Sequence, residues 1–134
     1  MSQVRVADAA DFLGVSTDTV RRLVTAGRLP AGKDASGRTV VDGRALAEYV
    51  RAEGRSVADP TAVRRSARNR FVGIVTEVIS DRVMSQVELQ CGPHRVVSLV
   101  STESVRELGL EPGVVAVAVV KATNVALETP GGSP

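Results

Sequence analysis

Val100-Ser101-Thr102-Glu103-Ser104-Val105-Arg106-Glu107-Leu108-Gly109-Leu110 reads as one capped helix set among Val-rich strands, and it decides the architecture of the second half of the chain. Ser101 or Thr102 supplies the N-cap, and Glu103 puts a carboxylate in the first turn, where the helix dipole favours it. Val105 and Leu108 face inward and Gly109 ends the helix. Upstream, residues 71–79, 83–90 and 94–100 alternate or run apolar as strands do; downstream, 114–121 and 124–128 do the same. The reading is therefore five short strands with a helix between the third and the fourth.

That element order is the order of an OB-type β-barrel. Barrels of this kind that bind single-stranded nucleic acid stack bases on aromatic rings over a basic groove. Phe71 is the only aromatic residue after Arg65, and acidic residues slightly outnumber basic ones there, so that function is excluded. What this half does carry is small hydroxyls and isolated cations at element boundaries. Ser66, Arg68 and Asn69 precede the first strand, Ser101 and Ser104 open the helix, and Lys121 ends a strand. Serine hydroxyls, a lysine ammonium and free backbone N–H groups are all donors, which suits a compact, fully deprotonated dianion. Composition alone leaves phosphate, sulfate, molybdate and tungstate open. Read singly, Ser101 is equally a helix cap, Lys121 a solvated strand end, and Arg68 a partner for Glu77 or Glu128.

Working back from the barrel, residues 54–65 are polar and contain Pro60, which stops a helix from running through. Before this joint the grammar changes to helix-spaced clusters, and basic residues outnumber acidic ones. Ala9, Ala10 and Leu13 mark a short helix that Gly14 ends. Ser16 caps a second, with Asp18 in its first turn, Val20, Leu23 and Val24 as its inward stripe, and Gly27 after it. Outward Thr17, Thr19, Arg21 and Arg22 on that second helix fit a major groove. A Gly/Asp/Ser-rich tip from Lys33 to Arg38 then reads as a wing. Asp42 caps a third helix over 44–51 that turns Leu46, Tyr49 and Val50 to the core.

Two resemblances follow from these residues. Val15-Ser-Thr-Asp-Thr-Val-Arg-Arg-Leu23, Gly27-Arg-Leu-Pro-Ala31 and the helix with Leu46 and Tyr49 resemble the excisionase and MerR-type winged helix-turn-helix over about residues 3–53. The resemblance implies sequence-specific binding of double-stranded DNA, with the second helix in the major groove, Thr17, Thr19, Arg21 and Arg22 facing DNA, and Lys33 and Arg38 on phosphates. Ser66-Ala-Arg-Asn-Arg-Phe-Val-Gly-Ile-Val75, the capped helix from Val100 to Leu110, Gly113 and Val119-Val-Lys-Ala-Thr-Asn-Val125 resemble the Mop, or TOBE, domain of molybdate-binding proteins over about 65–129. This one implies a molybdate or tungstate oxyanion held between subunits by Ser66, Arg68, Ser101, Ser104 and Lys121, with Ala122 contributing backbone. Family members frequently carry the module twice and this chain has it once, so the resemblance implies a homo-oligomer, a dimer or a trimer of dimers. Ser66 and Arg68 of one chain would then face Ser101, Ser104 and Lys121 of another.

The expected organisation is α+β in two small domains. A winged helix-turn-helix spans 1–53, a linker 54–65, the Mop/TOBE barrel 66–129, and a frayed tail 130–134. With 134 residues each half is close to the lower size limit for folding alone, and with 2% aromatics each core is aliphatic. Cys91 is the single cysteine, no charged-then-apolar leader opens the chain, and the longest apolar run is far below the roughly 20 residues that cross a bilayer. The expectation is a cytoplasmic protein with no membrane contact. His94 beside Pro93 reads as a surface residue. No nucleophile with a neighbouring base, no cluster spaced for a metal cation and no nucleotide loop appears, so an enzyme and an organic cofactor are not expected. Three functions fit: a transcription regulator sensing molybdate or tungstate, a storage or buffering protein for that anion, and an excisionase-like DNA binder using the barrel only to oligomerise.

Overall fold

The computed structural model describes residues 2–53, 58–61 and 69–131. Ser66, Arg68, most of the expected linker and the last three residues of the tail lie outside the described residues. The chain divides into two units, Met1–Ser56 and Val57–Pro134.

In the first unit, α1 (Val6–Leu13) buries Val6, Ala9, Ala10 and Leu13, a single stripe at helical spacing, and Gly14 ends it in the left-handed region at φ 68°. α2 (Thr17–Thr25) begins on the Ser16 cap, whose Oγ accepts the Thr19 N–H at 3.2 Å. Val20 and, after the turn, Leu29 are sealed from solvent. The wing is β2 (Ala31–Lys33) with β3 (Thr39–Asp42), and α3 (Gly43–Glu53) follows, capped by the Asp42 carboxylate, which accepts the Ala45 N–H at 3.0 Å. One strand has no counterpart in the sequence reading. β1 (Gln3–Arg5) pairs antiparallel with β3, making a three-stranded sheet in the order β1-β3-β2. Val41 and Leu46 join the α1 and α2 residues in one core, with Tyr49 and Val50 packed against it.

The second unit is a four-stranded antiparallel sheet: β4 (Asn69–Ser80), β5 (Met84–Cys91), β6 (His94–Ser101) and β7 (Val115–Val120), in the order β6-β5-β4-β7. α4 (Thr102–Leu108) sits between β6 and β7 as expected, ending at Gly109 with φ 64°, but of its two expected inward residues only Val105 is buried and Leu108 is exposed. β5 shows the strand period plainly: Ser85, Val87, Leu89 and Cys91 are buried and the residues between them are not. β4 bends where its register slips from Val75 opposite Leu89 to Glu77 opposite Glu88, leaving Thr76 as a bulge. Close approach fixes Gly73, where a Cβ would stand 2.5 Å from Cys91 Sγ and 2.7 Å from the Gln90 carbonyl oxygen.

The fold differs from the five-strand expectation at one place. Residues 124–128 do not form a strand: Ala122–Asn124 is a 3₁₀ turn, and the chain beyond it has no strand partner among the described residues. β4 and β5 already have neighbours on both sides. A hairpin back onto β7 needs residues that take positive φ, and Lys121-Ala122-Thr123-Asn124 has no glycine and closes its 3₁₀ bonds instead, Asn124 N–H to the Lys121 oxygen at 2.9 Å. Leu127 is left 90% exposed. The sheet is therefore curled, with β6 and β7 as open edges.

Candidate nucleic-acid interface and oxyanion site

The first site is the outer face of α2. Because Val20, Leu23 and Val24 face inward, helical geometry turns Thr17, Asp18, Arg21, Arg22 and Thr25 outward, and all five are exposed. Asp18, Arg21, Arg22, Thr25 and Ala26 line a shallow hollow. Neither arginine is ion-paired with a described residue. Thr19 sits differently from the expectation. It is half-buried, and its hydroxyl lies 3.0 Å from Ser16 Oγ, so it completes the cap instead of joining the outward row.

The wing carries its expected cations, Lys33 and Arg38, both exposed; Lys33 Nζ donates to Thr39 Oγ1 at 2.8 Å. Its tip is a small knot around Asp34, whose carboxylate accepts the N–H groups of Arg38 at 2.9 Å and Ser36 at 2.8 Å. The Arg38 backbone bond, followed by that of Ser36 and by the charges of Arg38 and Arg5, holds the Asp34 carboxyl below its usual range. Arg5 is the residue sequence reasoning missed. It lies on β1 opposite Val40, exposed and close enough to Asp34 to be felt by it. A three-residue strand is too short to show alternation, so the sequence has no periodic signal for it.

The second site centres on the start of α4. Ser101 Oγ accepts the Ser104 N–H at 3.1 Å and donates to Ser104 Oγ at 2.8 Å, which leaves the Ser104 hydroxyl proton to give elsewhere. Behind them lies a row of hydroxyls that sequence reasoning did not single out, Ser85 and Thr102 buried and Ser80 exposed at its end. Thr102 Oγ1 donates its one proton to the Asp81 carbonyl at 2.9 Å, so Ser85 must donate to Thr102 across 2.8 Å, and Ser80 to Ser85 across 2.7 Å. The row runs in one direction and ties α4 to the β4–β5 turn, as does the Thr102 N–H on the Val83 oxygen at 2.9 Å. The position of Ser85 on the buried face of β5 was the signal available.

Lys121 and Ala122 are elsewhere. Asn69 stands opposite Val120, and its Nδ2 donates to the Val120 carbonyl at 3.1 Å, so the start of β4 and the Lys121 turn are fastened together. At the far end of β4, Ser80 is opposite Ser85, and Met84 in turn is opposite Ser101. Lys121 and the two serines thus lie at opposite ends of a twelve-residue strand, roughly 35 Å along its path. Register therefore puts Lys121 at the Asn69 end of β4 and Ser101 and Ser104 at its Ser80 end, whereas the expectation had all three facing one anion from a single chain.

Near that same end, Arg70 Nε donates to Asp59 Oδ2 at 2.7 Å, and the guanidinium also bonds Thr61 Oγ1, holding the Asp59 carboxyl well below the usual carboxylate range. Arg70 Nη1 is buried without a partner among the described residues. It borders an apolar trough of about 520 Å³ lined by Val87, Leu89, Val96, Val100 and Leu110 and by β7. Among the described residues no three of His, Cys, Asp and Glu converge as on a metal cation, and no helix is long and apolar enough to cross a membrane.

Family models match the chain in two places: a helix-turn-helix domain at residues 4–54 and a TOBE domain at 65–127. Molybdenum-pterin-binding protein 2 of Clostridium pasteurianum is 39% identical over 61 residues, which are 45% of this chain and 90% of that protein. Among solved structures, the cytoplasmic molybdate-binding protein ModG with molybdate bound is 41% identical at a TM-score of 0.50, over 54% of this chain and 52% of that one. MopII of C. pasteurianum is 36% identical at a TM-score of 0.46, over 49% of this chain and all of that one.

Proposed function

The chain belongs to the TOBE family and carries a helix-turn-helix domain ahead of its TOBE domain, and from that premise we propose that it is a cytoplasmic transcription regulator that senses molybdate or tungstate. The names of its relatives supply the anion class, and the exposed Arg21 and Arg22 on α2, without an ion pair among the described residues, supply the contact with double-stranded DNA. The observation that carries the reading is the separation of Lys121 from Ser101 and Ser104 along β4. One chain thus carries these anion donors at two separated places. An oxyanion contacted by Ser101 and Ser104 of one copy, and by Lys121, the Ala122 backbone, Ser66 and Arg68 of another, needs a homo-oligomer, so anion and assembly are linked.

The linkage is large enough to regulate. At an anion concentration 100 times its dissociation constant, each site adds roughly 2.7 kcal/mol to the state that binds it. Paired helix-turn-helix domains held at fixed separation then match half-sites about 34 to 36 Å apart, which free domains meet only at the cost of their own alignment. The outward α2 face favours this reading over storage alone, since a buffering protein has no use for it. The test is native mass and retention of a specific duplex, each with and without molybdate. A heat of binding together with an anion-dependent change in mass and retention is expected. Anion binding that leaves mass and retention unchanged would reduce the protein to a store, and no binding at all would reduce the TOBE unit to an oligomerisation module.

A further inference from the structure

We propose that Asp18 is a specificity-determining residue on α2, its carboxylate accepting a hydrogen bond from the exocyclic amino group of a cytosine in the major groove. The inference rests on the DNA-binding reading above. Asp18 lies in the first turn of α2, the part of a recognition helix whose side chains reach base edges. It is exposed and shares a hollow with Arg21 and Arg22. The spacings to Arg21 and Arg22 are i+3 and i+4, at which a carboxylate and a guanidinium can pair along a helix. Here they do not, and none of the three is ion-paired among the described residues.

A carboxylate in that position is repelled by phosphates and lowers affinity for every duplex alike. Base recognition gives it a compensating use. Cytosine presents an amino donor in the major groove, whereas adenine sets its amino group beside the N7 acceptor, guanine offers two acceptors, and thymine an acceptor and a methyl group. Of the four, cytosine alone shows a carboxylate a donor with no acceptor next to it on the same base. Arginine has the opposite preference, for guanine O6 and N7. An Asp18 flanked by Arg21 and Arg22 therefore reads a cytosine close to guanine. The competing role for Asp18 is purely local, as a carboxylate favoured by the helix dipole, and it involves no base preference.

The two are separated by selecting from a randomised duplex pool with the full chain, as wild type, Asp18→Asn and Asp18→Ala. Single-base variants of the selected site are then measured. The wild type should prefer cytosine at one position by roughly 5- to 150-fold. Asp18→Ala should lose that preference, keep those at other positions and bind nonspecific duplex more tightly. Asp18→Asn should move the same position toward adenine, which an amide contacts at N6 and N7. If both variants keep the wild-type preference at every position, whatever happens to affinity, the inference is wrong while the DNA-binding reading stands. If the wild type selects no duplex, both fall together.

Discussion

At the scale of single residues, Ser16 and Asp34 set the shape of the proposed DNA surface. Ser16→Ala removes the acceptor for the Thr19 N–H and should destabilise the first unit by about 1 kcal/mol, read from its unfolding transition in the full chain. Asp34 makes a pH prediction. Its carboxyl is held below its ordinary value of 3.8, so the bonds to Arg38 and Ser36 are fully present above that pH and are lost as pH falls through the lowered value. Amide protection at Ser36 and Arg38 should collapse there in an acid titration, ahead of the α1–α2 core, and Asp34→Asn should weaken it at neutral pH. Arg21 and Arg22 belong to this scale too. If an arginine neutralises a phosphate, replacing it with Ala should flatten the slope of log K against log salt by roughly 0.9; if it reads guanine, the change should cost about 1 to 3 kcal/mol at one base position, and a double variant with unchanged affinity and slope would show that neither touches DNA.

At the scale of elements, residues that answer only to their neighbours in sequence are legible, and those that answer to a partner strand are not. The Ser16 and Ser101 caps, the Gly14 and Gly109 stops and the stripes of α1, α2 and α3 are local rules, and each stands where the sequence puts it. The tail 124–128 has a strand's composition but pairs with neither open edge, because the chain before it closes a 3₁₀ turn in place of a hairpin, and composition cannot report that. β1 is the converse, a segment too short to carry a pattern that becomes a strand because β3 offers one side. Gly73 belongs to the same class. Its need for a missing side chain arises from Cys91 and Gln90 on β5, distant in sequence. Gly73→Ala should cost about 1 to 3 kcal/mol and lower the thermal midpoint of the second unit, because the Gln90 carbonyl is backbone and cannot swing aside.

At the scale of the whole molecule, the second unit is incomplete by its own burial. Val75, Val87, Leu89, Cys91 and Val105 form its sealed core, while Ile79, Val83, Leu99, Leu108, Val115 and Leu127 stand more than half exposed, and an apolar trough runs along β7. The candidate site was legible in the sequence as a set of residue types. The separation of Lys121 from Ser101 and Ser104 was not, because it depends on which end of β4 each residue reaches. The proposed sharing of the anion between chains makes a complementation prediction. Chains carrying Lys121→Ala keep Ser101 and Ser104, and chains carrying Ser101→Ala keep Lys121, so each alone should bind molybdate weakly. In the proposed site Lys121 would contribute a charge-assisted hydrogen bond worth about 1.5 to 3 kcal/mol, so its removal should weaken binding at least tenfold. Mixed, unfolded and refolded together, the two variants should regain a minority of sites with wild-type affinity, wherever an intact Ser101 meets an intact Lys121 of another copy. Calorimetry would resolve these as a tight phase absent from either variant. A mixture that binds only as the average of its parts would place the whole site within one chain, and with it would go the coupling of anion to assembly through which the anion is proposed to reach DNA.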